Sequence, residues 1–166
     1  MIVVVNDANI LIDIIKLQLL PQFFSLPMKF YTTSLILDEL YDEQVELLNG
    51  YSDKGILNIV DFTAEELIEI ALLQTEKRQL SDKDCSAIVC AKKVKGSLIT
   101  SDNTLRKFAL KKQIIVRGHL WVLDNLISET KISGSIAINK LAALCDTINP
   151  RLNLPKSECD SRIRYL

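Results

Sequence analysis

Four acidic residues, Asp7, Glu39, Asp84 and Asp102, stand at or near places where the chain changes from one kind of element to another. Ile2 to Val5 is a short continuous apolar, β-branched run, the pattern of a strand buried on both faces of a parallel sheet. It stops at Asn6-Asp7-Ala8-Asn9, after which Ile10, Leu11, Ile14 and Ile15 recur at helical spacing. Asp7 therefore sits at a strand-to-helix turn, and Ile99-Thr100-Ser101-Asp102 repeats the event downstream. In a parallel sheet all such turns lie at the carboxyl edge, where ligand sites form.

Each acid also has a plain structural reading when taken alone. Asp7 can cap the helix it precedes by accepting free N–H groups. Asp84, three residues after Ser81, fits the acid of a capping box. Glu39 is expected one turn inside a helix, where capping cannot explain it and an exposed helix acid is the ordinary account. Brought together, the four would repel, since two like charges about 4 Å apart cost roughly 4 kcal/mol at an effective dielectric near 20. Protons or cations would have to fill such a cluster. Hard oxygen donors without histidine or thiolate favour Mg²⁺ or Mn²⁺ over zinc. Magnesium commonly completes its shell with phosphate oxygens, so phosphodiester hydrolysis is the natural reaction class.

The elements that must position these acids follow from the same patterns. Pro21 and Pro27 bracket a connection, and Met28 to Thr33 reads as a second strand. A helix is expected from about Ser34, its N-cap, through Leu48, with Gly50 beyond its end. Ile56 to Phe62 reads equally as a short strand or an extended connection. Thr63 with Glu66 makes a capping box for a helix towards Leu80, and Ser81-Asp82-Lys83-Asp84 opens another that Gly96 ends. Ser97 to Ser101 is a short buried strand leading into a basic helix, and Ile114 to Val116 gives the last strand signal. Gly118 and His119 start a helix broken at Ser133-Gly134, Ile136 to Ile148 forms another, and a short basic segment ends at Leu166. Alternating strands and helices argue an α/β fold: a parallel-sheet α/β/α sandwich with a helical C-terminal extension.

The 166 residues are the size of one domain, with a core over about 1–117 and the extension over about 118–166. Hydrophobic residues at 48% and charged ones at 25% exclude a disordered chain. No leader peptide or run of membrane-spanning length is evident, which argues against a membrane partner. Cys85, Cys90, Cys145 and Cys159 form no Cys-x-x-Cys pair and His119 is the lone histidine, which speaks against zinc and for free thiols in a reducing cytoplasm. Net charge is −1, yet Asp38 to Asp84 carries 13 acids against four basic residues, and Lys92 to Arg117 eight basic residues against one acid. Such asymmetry can mark a binding face, although exposed helices also collect charge in runs.

Asp7-Ala8-Asn9, Leu37-Asp38-Glu39-Leu40, Leu80 to Ala87 with Asp82 and Asp84, and Thr100-Ser101-Asp102-Asn103-Thr104-Leu105 occur in order over residues 1 to about 117. Together they resemble the PIN-domain nucleases, and Gly118 to Leu123 is similar to the tail of some prokaryotic members. Ala8 departs from the small hydroxyl residue often found there. The resemblance implies a metal-dependent ribonuclease selective for single-stranded RNA, often the toxin of a VapBC-type toxin–antitoxin pair. It implies that Asp7, Glu39, Asp84 and Asp102 are the catalytic acids and hold Mg²⁺ or Mn²⁺. Asn9, Thr100 and Ser101 would orient ligands or the scissile phosphate, while Arg106 and Lys107 are candidates for phosphate contact. Asp38 and Asp82 would turn away from the site, each about 100° around a helix from its neighbour.

Two further expectations follow. A small antitoxin protein would place an arginine or lysine against the acids and lay a helix on Leu17, Leu19, Leu20, Phe23 and Phe24, unless these pack internally or form a homodimer seam. The alternative to an enzyme is a catalytically silent PIN-like protein-binding module. A receiver-type phosphotransfer domain ranks last, because it would want paired acids after the first strand and a lysine after a late one.

Overall fold

The computed structural model describes residues 1–165, and Leu166 lies outside them. In chain order the elements are β1 (Ile2–Asn6), α1 (Ala8–Lys16), α2 (Leu20–Phe24), β2 (Met28–Thr33), α3 (Ser34–Leu37), α4 (Asp42–Asp53), β3 (Leu57–Val60) and α5 (Ala64–Glu76). There follow α6 (Asp82–Val94), β4 (Ser97–Ile99), α7 (Asn103–Lys111), β5 (Val116–Arg117), α8 (His119–Ser128), α9 (Gly134–Ala143), a π-helical turn (Leu144–Ile148) and α10 (Lys156–Tyr165). The chain divides into two compact units, one of Met1–Ile12 with Pro27–Gly118, the other of Asp13–Leu26 with the chain from His119 onward. The single boundary expected near 117 is thus joined by an earlier one, since residues 13–26 group with the tail.

The first unit is built on a five-stranded sheet in the order β3-β2-β1-β4-β5. Every pairing is parallel, with Val5 opposite Tyr31, Asn6 opposite Ile99, Thr33 opposite Val60 and Leu98 opposite Val116. Val4, Val5, Leu98 and Ile99 are fully buried, as their unbroken apolar runs require. The chain steps outward from β1 through β2 to β3, then crosses back to β4 on the other side of β1. Strand order therefore reverses between β1 and β4, and the crevice at the carboxyl ends of those two strands is the topological switch point where open α/β sheets bind ligands.

Helix α6 is the crossover that returns the chain, and it packs on β1, β2 and β4 and against α3 and α5. Cys85 through Ala91 are all buried, so the middle of this helix is enclosed on every side while its charged ends are not. Ser81 and Asp84 form the expected capping box at its start. Its end differs from expectation, because Lys95 and not Gly96 takes the left-handed conformation, with φ of 55°. Gly96 is needed for another reason: a Cβ there would lie 3.0 Å from Val3 Cγ1 and 3.1 Å from Val3 O.

The helix expected from Ser34 to Leu48 is two helices. Thr33, not Ser34, is the N-cap of α3, and α4 starts afresh at Asp42 with Gly50 inside it. Gln44 supplies the second start by accepting from Tyr41 N at 3.0 Å. The undecided stretch after Ile56 is strand β3 over Leu57–Val60.

In the second unit, the connection expected between Pro21 and Pro27 contains α2, because Pro21 falls in the first turn, where its missing N–H costs nothing. Leu17, Leu19, Leu20, Phe23 and Phe24 are all buried, none more than 6% exposed. They pack internally, which is the alternative given above to an antitoxin groove. Asp13 and His119 are both buried and meet at 2.8 Å, while Asn149 donates to the same Asp13 oxygen at 2.9 Å. The lone histidine thus has a carboxylate partner inside the fold. Arg162 holds Asp124 through two bonds of 2.8 and 2.6 Å. No helix among the described residues is long and apolar enough to cross a membrane.

Candidate functional site

Asp7 and Asp102 flank the reversal point of the sheet. The Asp7 N–H donates to Ile99 O at 3.0 Å, tying the end of β1 to the end of β4. The Asp7 side chain is 4% exposed. Its Oδ1 accepts from Ala8 N at 2.9 Å and its Oδ2 from the Thr100 hydroxyl at 2.7 Å. Thr100 Oγ1 in turn accepts from Asp102 N at 3.1 Å, which leaves its one proton directed at Asp7. Asp102 caps α7, its Oδ1 accepting from Thr104 N at 2.8 Å and Leu105 N at 3.0 Å. Asn9 Oδ1 accepts from Ser101 N at 3.4 Å, so Asn9 braces the second turn from the first. Thr100 is buried, whereas Ser101 stays partly exposed.

Asp84 and Glu39 come to this edge from α6 and from the turn after α3. Asp84 Oδ2 accepts from Ser81 N at 2.9 Å, closing the capping box. Glu39 does not lie one turn inside a helix. It sits in the turn between α3 and α4, its N–H on Ile36 O at 3.0 Å and its side chain exposed. The geometry expected of Asp38 and Asp82 changes with it. Asp38 is the last cap of α3 and is exposed. Asp82 is paired with Lys83 at 3.5 Å, and its charge adds to the rise of Glu39 and Asp84.

The electrostatics show that these acids share one neighbourhood. Burial raises the Asp7 carboxyl from 3.8 to about 7, with the Thr100 hydroxyl opposing and the charges of Asp84 and Glu39 adding to the rise. Asp84 is also raised, first by burial and then by Asp102 and Asp82, against the bonds from Ser81. Glu39 is raised by partial burial and by Asp84, Asp82 and Asp102, with Lys83 pulling the other way. Among the described residues no lysine, arginine or histidine forms an ion pair with Asp7, Glu39, Asp84 or Asp102. Lys83 offsets part of the repulsion at Glu39, but carboxylates that raise one another without a direct ion pair remain costly unless protonated or occupied by a cation.

The basic stretch contributes less free charge than its composition promised. Lys92, Lys93 and Lys112 pair with Glu69, Glu66 and Glu76 at 3.8, 3.2 and 2.9 Å, so acidic α5 neutralises much of it. Arg106 is drawn back to the site edge, where its Nη2 donates to Thr100 O at 3.2 Å and a Cβ at Gly118 would lie 3.0 Å away. Lys107 is exposed on α7.

Sequence reasoning passed over Thr33 and Ser86, both buried and hydrogen-bonded to each other at 2.8 Å between α3 and α6. The signal was present in Thr33, a hydroxyl residue ending an apolar strand just before a helix. Ser86, in the middle of a helical pattern, gave none.

The donor set is one of hard oxygens: Asp102 Oδ2 and the Glu39 carboxylate accept no hydrogen bond from the described residues, and the Asp84 carboxylate is bonded to Ser81 alone. Among the described residues no group of three or more His, Cys, Asp or Glu side chains is placed so that it could hold a metal ion together. Magnesium is commonly held by one or two carboxylates, the rest of its shell being water and phosphate oxygen. The model of a family described as a PIN domain matches residues 3–153 of the chain. No curated protein matches it.

Proposed function

As the chain belongs to the PIN-domain family, whose members are generally nucleases, we propose that it is a Mg²⁺- or Mn²⁺-dependent endoribonuclease acting on single-stranded RNA. The observation that carries this reading is the group of Asp7, Glu39, Asp84 and Asp102 at the reversal point of a parallel sheet, mutually repelling and without a cationic partner among the described residues. Asp84, Asp102 and Glu39 have the oxygens to hold the cation. When bound, the metal supplies activation of water and neutralisation of charge on a phosphodiester.

The protein's own residues do the rest. Thr100 directs its proton at Asp7 and so favours the carboxylate form there. Asn9 fixes Ser101, keeping the Asp102 turn in register with the Asp7 turn. Arg106, pinned by Thr100 O, keeps its remaining donors for a phosphate oxygen, and Lys107 adds a second positive charge on the same helix. We assign the protein to the cytoplasm, which the four free thiols support. As a toxin it would be restrained by a small antitoxin whose arginine or lysine enters the acid group in place of the metal.

The test is cleavage of mixed single- and double-stranded RNAs by the purified protein with Mg²⁺, with Mn²⁺ and with EDTA. Cleavage of the single strands alone, abolished by EDTA, is expected. Metal-independent cleavage, or none by a folded protein under any metal, overturns the reading.

A further inference from the structure

Glu39 is the member of the acid group with the least support of its own. Asp7 and Asp102 each follow a strand, and Asp84 belongs to the thirteen-residue α6. Glu39 follows α3, a helix of four residues, which is far below the length that holds itself together in water. What fixes that short helix is a chain of hydrogen bonds through two buried hydroxyls. Ile36 N donates to Thr33 Oγ1 at 3.0 Å, and Ser86 Oγ donates to Lys83 O at 2.6 Å. Each hydroxyl has a single proton. That of Ser86 is spent on Lys83 O, so the 2.8 Å bond between the hydroxyls runs from Thr33 to Ser86.

The direction of the whole chain is thereby settled: Ile36 N–H to Thr33, Thr33 to Ser86, Ser86 to Lys83 O. One end is the carbonyl next to Asp84. At the other, Ile36 gives its carbonyl to Glu39 N at 3.0 Å. Thr33 and Ser86 are both fully buried, so water does not compete for these bonds. Ile36 is fully buried beside them, and Leu40, just past Glu39, is 8% exposed, which pins the turn from both sides.

We propose that Thr33 and Ser86 are positioning residues that set the Glu39 carboxylate against Asp84, and so govern the site's affinity for its divalent cation. This rests on reading the acid group as a metal site, though not on RNA being the substrate. Neither hydroxyl touches the acids. Each acts through the turn it holds.

The experiment is Mn²⁺ titration by calorimetry of the full-length protein, with cleavage kinetics of a single-stranded RNA in parallel. The variants are Thr33→Val, Thr33→Ser, Ser86→Ala, Glu39→Gln and the Thr33→Val/Glu39→Gln double. Loss of groups that orient metal ligands typically weakens metal binding about 10- to 100-fold. Thr33→Val and Ser86→Ala are expected to weaken Mn²⁺ by at least about tenfold, raising the Mn²⁺ needed for half-maximal cleavage while leaving KM for RNA unchanged. Thr33→Ser should restore binding. The double variant should be no weaker than Glu39→Gln alone, because Thr33 works through Glu39.

Thr33→Val or Ser86→Ala, folded by circular dichroism and binding Mn²⁺ like the wild type, overturns the proposal. So does a double variant in which the two losses add. If Thr33→Val does not fold, Ser86→Ala and the Thr33→Ser rescue decide. A wild type that binds Mn²⁺ with these dependences but cleaves no RNA refutes the ribonuclease reading and leaves the positioning role standing. A wild type that binds no Mn²⁺ refutes both.

Discussion

Asp7→Asn should make the metal-free protein more stable at pH 8, although it removes a residue from the middle of the proposed site. Burial raises the Asp7 carboxyl from 3.8 to about 7, and Asp84 and Glu39 add to the rise. A carboxyl held higher in the folded state than in the unfolded one binds its proton more tightly when folded. Its full stability is therefore present below about pH 4 and is lost progressively as pH rises through about 7. At about 1.4 kcal/mol for each tenfold change in proton affinity, ionising Asp7 inside the fold costs about 4 kcal/mol. Asparagine avoids that cost and still offers Oδ1 to Ala8 N. Its Nδ2 meets Thr100 Oγ1, whose proton must find another acceptor, a loss of about 1 kcal/mol. The net expectation at pH 8 is a gain of roughly 2–3 kcal/mol, or on the order of 5–10 °C in Tm for a chain of this size. The assay is thermal and urea unfolding in EDTA from pH 4.5 to 8.5 for both proteins. The wild type should lose stability across that interval and the variant less, since Asp84 and Glu39 stay raised in it, while saturating Mn²⁺ should stabilise the wild type more strongly than the variant. A variant less stable than the wild type at pH 8 in EDTA would refute the premise that Asp7 is a strained, uncompensated charge.

Asp102→Asn keeps the cap on Thr104 and Leu105 but removes a charge, so RNA cleavage should fall at least about 100-fold with the fold intact, whereas Asp82→Asn, whose carboxylate is paired with Lys83, should change cleavage less than about threefold. Phe23→Ala should cost about 3–5 kcal/mol in urea unfolding because the ring is fully buried, while Ile68→Ser on the exposed side of α5 should change stability by less than about 0.5 kcal/mol. Lys95→Gly should raise stability by up to about 1 kcal/mol, since Lys95 holds φ of 55° at the end of α6; an unchanged Tm would show that its side chain compensates.

The strands were legible because a parallel sheet covered on both faces leaves short unbroken β-branched runs such as Ile2 to Val5, bounded here by the polar turn Asn6-Asp7. Capping boxes were legible for the same local reason, and both Thr63–Glu66 and Ser81–Asp84 form as read. The helix pair α3 and α4 was not legible. Leucines at helical spacing run across both, and the break at Asp38–Tyr41 carries no glycine or proline. It is imposed by partners distant in sequence, Ser86 holding Thr33 at one end, and by the separate cap that Gln44 gives to Tyr41. Burial of Leu17 to Phe24 was equally hidden, since a hydrophobic cluster in sequence does not say whether its cover lies within the chain or outside it.

The acids were hardest to weigh because capping and cation binding seemed to compete as explanations of the same side chains. The structure removes the competition, because a carboxylate has two oxygens. Asp102 spends Oδ1 on two N–H groups of α7, and Asp84 spends Oδ2 on Ser81 N. Asp102 is left with Oδ2 unbonded to any described residue, and Asp84 is bonded to Ser81 alone. The caps fix the orientation of that second oxygen at no cost to its availability, much as hydrogen bonds to a metal's ligands hold them in place. Asp7 differs, since Ala8 N and the Thr100 hydroxyl take one oxygen each, and it is also the acid most buried and most raised. On the proposed metal-site reading, a helix start at this edge of the sheet would supply in one residue both the cap that the fold needs and a directed charge for a cation. That is why local pattern alone could not choose between the two: a cap and a ligand call for the same residue type at the same place.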